Sequence, residues 1–296
     1  MNINIHNTHI LHKFQYYAPV TVAEATKLLA KHGDNAAVLA GGTDLIVRMK
    51  DGALRPKHII NLKKIDGLKC LEEKPEGIQI GALTKIRDIE RSLLIQKKFS
   101  VLHEAAKAIG SVQIRNLATV GGNICRASPC SDCSVALLAL DAVAHTMSSS
   151  GERKIPLESF FAGPGKTVLE KDEILLDVLI PKKAENLKGY WFRVARASMD
   201  IATISLAVSA KVKDGVVEDC RLAWGTCGPT PMRTKDVEAF LKGKKLNERV
   251  IEDAAKLASK SIKPREVGRS RGPYKRKVAY NYLVEALTKL SKSEDD

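Results

Sequence analysis

Two short segments carry residue types that can hold a ligand by its main chain: Leu39-Ala40-Gly41-Gly42-Thr43-Asp44 and Thr119-Val120-Gly121-Gly122-Asn123. Each sets a glycine pair at an expected turn beside an apolar strand. Glycine reaches positive φ and lets a ligand approach the backbone closely. Consecutive amides in such a turn form a concave anion site, and the neighbouring threonine adds a hydroxyl. Two such loops are expected to grip both phosphates of one dinucleotide. Asp44 would repel a phosphate, so it is expected to cap the following helix or to meet a sugar hydroxyl. A Rossmann glycine fingerprint is absent. Gly163-Pro164-Gly165-Lys166-Thr167 is like the end of a P-loop, but Phe160 stands where the first glycine belongs, so the segment reads as an ordinary turn.

The cysteines are the second candidate chemistry. Cys125, Cys130 and Cys133 lie close in sequence, and three close thiols can ligate an iron–sulfur cluster. A fourth ligand would have to be Cys70, Cys220 or Cys227, all remote. The opposing reading is three reduced thiols in a tight loop, with no metal. His6, His9 and His12 recur every third residue, but no carboxylate or cysteine joins them, and they too are read as holding no metal.

These residues need elements to position them. Thr21-Val22-Ala23-Glu24 is a capping-box pattern, and Gly33 follows Lys31 and His32 as a stop, so a helix is expected between. Ala36–Ala40 is expected to be a buried strand, followed by strands at 58–62, 78–83 and 142–147. Ser100 is expected to cap a helix ending near Gly110, and Asp132 to start an apolar helix reaching Leu140. The polar stretch 182–186 is expected to divide a domain of residues 1–185 from one of residues 186–296. Beyond it, strands at 190–195, 203–212 and 220–225 precede helices at 235–241, 248–261 and 274–290, an α+β order.

The whole chain has 296 residues, with 48 Lys plus Arg against 34 Asp plus Glu, a net charge of +14. With 44% hydrophobic and 28% charged residues, it is not a disordered polyelectrolyte. The length suits two domains. The positive surplus fits nucleic acid or acidic partners. Aromatic content of 5% is thin for base stacking, and no RNA- or DNA-binding module is recognisable, so no nucleic-acid partner is expected. The N-terminus lacks an apolar signal core, and no run approaches the roughly 18 apolar residues of a transmembrane helix. A cytoplasmic location is expected.

At the level of whole motifs, the chain resembles the FAD-binding subunit of the molybdenum hydroxylases, such as the medium subunit of aerobic carbon monoxide dehydrogenase and the flavin domain of xanthine dehydrogenase. The resemblance runs through Ala40-Gly41-Gly42-Thr43-Asp44-Leu45, Ile80-Gly81-Ala82-Leu83-Thr84 and Gln113-Ile114-Arg115-Asn116-Leu117-Ala118-Thr119-Val120-Gly121-Gly122-Asn123-Ile124. It continues in Ala127-Ser128-Pro129 with Asp132, then Phe160-Phe161, Asp172-Glu173-Ile174-Leu175 and Gly228-Pro229-Thr230-Pro231-Met232-Arg233.

The resemblance implies an α+β fold: two subdomains of the vanillyl-alcohol-oxidase (PCMH) type holding FAD, then a flavoprotein C-terminal domain. It implies that Leu39, Ala40, Gly41, Gly42, Thr43, Asp44 and Leu45 wrap the pyrophosphate, and that Thr119, Gly121, Gly122 and Asn123 form the opposing loop. Asp132 would meet ribityl or ribose hydroxyls, Ile109 and Leu175 would pack near the rings, and Arg193 would lie near the flavin. On pattern alone, Ile109 and Leu175 read as core, Arg193 as a surface charge and Asp132 as a helix cap.

The implied work is electron transfer by an oxidoreductase subunit. A small subunit with 2Fe–2S clusters would deliver electrons to FAD, a large subunit would hold the molybdenum cofactor, and NAD or a quinone would be an acceptor. The implied assembly is a dimer of heterotrimers. Relatives that reduce 4-hydroxybenzoyl-CoA carry a 4Fe–4S cluster in an insertion this chain lacks. The alternative is a stand-alone flavin reductase like the UDP-N-acetylenolpyruvoylglucosamine reductases, which have a different C-terminal domain.

Overall fold

The computed structural model describes residues 11–185, 187–265 and 272–292. His6 and His9 lie outside the described residues. The first helix obeys its sequence signals. Val22–His32 is helical, the Thr21 hydroxyl accepts from the Glu24 amide at 3.1 Å, and Gly33 ends the helix at φ 49°. It lies beside a three-stranded parallel sheet in the order Gln15–Tyr17, His58–Asn61, Ala36–Leu39. Ala36–Leu39 is only half-buried, against expectation, because Val38 and the loop from Ala40 onward line an open cavity.

A five-stranded antiparallel sheet follows, ordered Leu71–Lys74, Gly77–Gly81, Ile174–Pro181, Val143–Ser148, Gly151–Pro156. The long strand Ile174–Pro181 closes it at the centre, pairing with one strand on each side. Its apolar side chains share a core with the helices Ile86–Arg91, Ser100–Lys107 and Asp132–Ala139, where Phe99, Leu102, Val135, Leu138 and Phe160 are buried. Ser100 does not cap its helix. It is the first helical residue, Phe99 stands at the cap, and the Ser100 hydroxyl donates to the Gly189 carbonyl at 3.1 Å. That bond ties the helix to the next unit.

The C-terminal unit is a four-stranded antiparallel sheet, Lys188–Val194, Ile204–Lys213, Val216–Gly225 and Met232–Arg233, with helices Lys235–Leu241, Glu248–Ser261 and Gly272–Lys292. The strand Ile204–Lys213 is buried on both faces. Ile204, Leu206, Val208 and Ala210 join the C-terminal core, whereas Ala207 joins the core of the preceding unit. Small residues on that second face let the two units approach closely: a Cβ on Gly225 would stand 3.1 Å from Val135 Cγ2. An ion cluster locks the same seam. Asp141 receives Arg221 Nε at 2.6 Å and Lys183 Nζ at 2.9 Å and also bonds Arg233, which in turn grips Glu238. The three cations hold the Asp141 carboxyl below the usual carboxylate range despite its burial. This seam fixes where Arg193 and the segment 199–202 stand. Among the described residues, no helix is long and apolar enough to cross a membrane.

Candidate functional site

A cavity of about 590 Å3 opens where the three units meet. That size lies within the roughly 300–1,000 Å3 of small-molecule sites. Of the expected ligand residues, Ala40, Gly41, Gly42, Thr43, Asp44, Leu45, Ile109, Thr119, Gly121, Gly122, Asn123, Asp132, Leu175 and Arg193 all line it. Leu39 does not. Its side chain packs behind the loop, with Cδ1 3.2 Å from where a Gly42 Cβ would stand.

The first glycine loop leaves the strand Ala36–Leu39 and turns into the helix Leu45–Lys50. Gly42 has φ 80°, a conformation that favours glycine. Gly41 is pressed against the second loop, where an added Cβ would meet the Leu117 carbonyl oxygen at 2.2 Å. Among the described residues, no protein acceptor takes the amides of Gly41, Gly42, Thr43 or Asp44. Asp44 makes no capping hydrogen bond, contrary to expectation. Its carboxylate instead pairs with Arg126 Nε at 2.9 Å, across the cavity.

The second loop is built differently. Its glycine pair is not a turn but part of the first turn of the helix Val120–Cys125. The Thr119 hydroxyl caps that helix by accepting from Gly122 at 3.1 Å. Val120 donates to the Thr84 carbonyl, Gly121 to the Ala82 carbonyl and Asn123 to the Thr119 carbonyl. All four amides from 120 to 123 are therefore committed within the protein. Gly121 is required by packing, since a Cβ there would lie 2.7 Å from the Ala82 Cβ. The expectation that this loop offers amides to a second phosphate is corrected: its amides bind the protein.

Beside it, Ser131 rather than Asp132 caps the helix Asp132–Ala139, accepting from Ser134. The Ser131 hydroxyl also donates to the Asn123 side-chain oxygen, linking the two segments. Asp132 is then free for the cavity. It is buried, its Oδ2 lies 3.3 Å from Arg193 Nε, and its Oδ1 has no partner among the described residues. Burial pushes its carboxyl up to about 7, outweighing the opposing pull of Arg193. Arg193 is fixed in turn by donating to the Asp200 carbonyl. Glu173, also in the wall, has the opposite balance. Burial raises its carboxyl, but hydrogen bonds from Arg153 and Thr146 win and hold it low.

The three neighbouring thiols are not gathered at one point. Cys125 and Cys130 line the cavity, while Cys133 is fully buried in the apolar core. Burial pushes the Cys125 thiol up to about 12 and raises Cys130 and Cys133 as well. Among the described residues, no three His, Cys, Asp or Glu side chains converge as metal ligands. Sequence reasoning also missed wall residues: Ile114, Arg126 and the segment Met199–Ala202, which the fold brings in from three different elements. Of these, only Arg126, a cation seven residues after a capping threonine and four after the glycine pair, left a readable signal.

Residues 12–183 match the family model described as the FAD binding domain in molybdopterin dehydrogenase, and residues 190–290 match the CO dehydrogenase flavoprotein C-terminal domain. The second match covers the unit in which the stand-alone reductase alternative requires a different domain. The chain is 33% identical to the glyceraldehyde dehydrogenase medium chain of Sulfolobus acidocaldarius, over 94% of this chain and 99% of that one. It is 32% identical to the xanthine dehydrogenase FAD-binding subunit of Escherichia coli O157:H7, over 94% of each chain. Among solved structures, carbon monoxide dehydrogenase from Hydrogenophaga pseudoflava superimposes with a TM-score of 0.90 at 32% identity, over 94% of this chain and 97% of that one. With both domains matched in order along almost its full length, the chain belongs to the FAD-binding medium-chain family of the molybdopterin dehydrogenases, as an oxidoreductase flavoprotein component.

Proposed function

We propose that FAD lies in this cavity with its pyrophosphate on the Gly41–Asp44 loop, and that the chain passes electrons between a 2Fe–2S subunit and an external acceptor such as NAD or a quinone. The observation that carries the reading is a set of unmet donors and acceptors in one cavity: four loop amides without protein acceptors, and the unpartnered oxygen of buried Asp132. Buried polar groups are ordinarily paired. A dinucleotide supplies what these lack, phosphate oxygens for the amides and a sugar hydroxyl for the carboxylate.

Bound flavin supplies one- and two-electron transfer, and the protein supplies position, access and charge. Val120 and Gly121 pin the second loop to Thr84 and Ala82, and Thr119 caps its helix, so that Gly122 and Asn123 form a fixed wall. Gly122 leaves space beside them, since an added Cβ would meet only the Thr119 hydroxyl oxygen. Ile109 and Leu175 offer apolar surface to the rings and exclude water. Arg193 sets a cation beside Asp132, close to where the flavin is read to lie.

The wider reading follows from the medium chains this protein resembles. The chain works in the cytoplasm in a complex with a large molybdopterin-binding subunit and a small 2Fe–2S subunit, assembled as a dimer of heterotrimers. The division into residues 1–185 and 186–296 belongs to the same proposal. Purification of the native complex tests it. The expected result is a yellow chain carrying about one FAD, whose removal stops acceptor reduction while the iron–sulfur clusters still accept electrons from substrate. A chain that stays colourless and takes up no FAD would sink the proposal.

A further inference from the structure

We propose that Arg126 is the counter-charge of the dinucleotide pyrophosphate in this chain, keeping its Nε on Asp44 while its two terminal nitrogens donate to phosphate oxygen. The inference rests on the reading that the cavity takes FAD, and it assigns a residue that reading does not use.

Asp44 poses the problem. It ends the loop whose amides are open to an anion, yet its own charge would repel one. The structure answers with Arg126, whose Nε lies 2.9 Å from one Asp44 carboxylate oxygen and 3.0 Å from the other. The pair spans the cleft: Asp44 follows the first glycine pair, and Arg126 follows the helix that contains the second. Both side chains are partly exposed, 36% for Arg126 and 49% for Asp44, and both residues line the cavity. Such an exposed pair contributes only about 0–1 kcal/mol to folding, so stability alone gives little reason for it.

The donor count points the same way. A guanidinium has five N–H donors in a rigid fork. Only Nε of Arg126 has a hydrogen-bond partner among the described residues. The other edge stays available, and bidentate donation to phosphate is the geometry arginine suits best. Arg48 also lines the cavity and has no ion-pair partner among the described residues. With Arg126 present, Arg48 and Arg126 together outweigh Asp44. Without it, the charges of Asp44 and Arg48 cancel.

The test uses the full-length chain stripped of flavin, titrated with FAD and with riboflavin at low and high KCl, reading flavin fluorescence. Arg126→Gln is expected to weaken FAD binding by about tenfold or more at low salt. Riboflavin has no phosphate, so its affinity is expected to stay the same. The dependence of FAD affinity on salt should become shallower in the variant, as one cation–phosphate contact is lost. Arg126→Lys should fall between, keeping the charge but not the fork. Inorganic pyrophosphate should compete with FAD at a lower concentration for the parent chain than for Arg126→Gln. Unchanged FAD affinity in Arg126→Gln would overturn the assignment. So would an equal loss for FAD and riboflavin, since that would mark Arg126 as structural. Failure of the parent chain to take FAD would overturn the cofactor reading itself, and the assignment with it.

Discussion

The two glycine pairs look alike as sequence, an apolar run, two glycines and a hydroxyl residue nearby, yet the fold uses them for opposite purposes. Gly41-Gly42 sits in an open loop, with Gly42 at φ 80° and the amides of residues 41–44 unmet. Gly121-Gly122 sits inside a helix, with its amides given to Ala82 and Thr119. The first pair leaves the backbone available to a ligand, while the second lets one backbone lie against another. The same dipeptide thus marks either close approach of a ligand or close approach of the chain, and only the hydrogen-bond account of each amide tells them apart.

Substitutions can break or sharpen that contrast. The largest effect is expected from Gly41→Ala. Its Cβ would stand 2.2 Å from the Leu117 carbonyl oxygen. A backbone atom cannot swing aside, so a loss of about 3 kcal/mol in urea unfolding is expected, together with loss of FAD as the two loops part. Gly121→Ala should follow at about 2 kcal/mol, because its Cβ meets Ala82. If Gly121→Ala melted like the parent, the packing role assigned to the second pair would be wrong.

Gly122→Ala sharpens the contrast within one pair. Its Cβ would meet only the Thr119 hydroxyl oxygen, at 3.0 Å, and Gly122 lines the cavity. FAD affinity should fall by about tenfold while stability falls by less than about 1 kcal/mol. Titration and melting of the same preparation would separate the two.

Asp132 allows a test by pH. Its carboxyl is raised from 3.8 to about 7 in the flavin-free fold. The folded state therefore binds the proton more tightly than the unfolded chain does. That contribution is full below about pH 4 and is lost as pH rises through 7. The flavin-free chain should thus lose stability between about pH 4 and 7, and Asp132→Asn should flatten that part of the curve. Equal slopes for the two proteins in urea melts would refute the burial argument. A modest change in stability alone is expected from Thr119→Ala. Loss of the cap on Gly122 should cost about 1 kcal/mol, read as a modest fall in Tm.

Much of the fold was legible because its signals are local. Thr21 with Glu24 and Gly33 frame the first helix, and the helices Lys235–Leu241 and Glu248–Ser261 fall at the residues expected for them. Two of the failures share one physical cause, a contact distant in sequence. Ser100 left its expected cap role because Gly189 offers a carbonyl. Ala36–Leu39 is not buried because the cavity wall stands beside it. Asp132 does not cap because Ser131, one residue earlier, already does.

The candidate site divides in the same way. The glycine pairs, the motif around Thr119 and the position of Asp132 could be identified in the chain itself, and with them the family. Periodicity, capping residues and motif order are written in local sequence, so sequence alone determined the element types, the α+β order and the family resemblance. Tertiary structure decided which amides stay open, which carboxylate loses its solvent and which cation crosses the cleft. Those properties depend on residues as far apart as Gly41 and Leu117, Asp44 and Arg126, or Asp132 and Arg193, and the free energy of a hydrogen bond or a buried charge is set by what surrounds it, not by its neighbours along the chain.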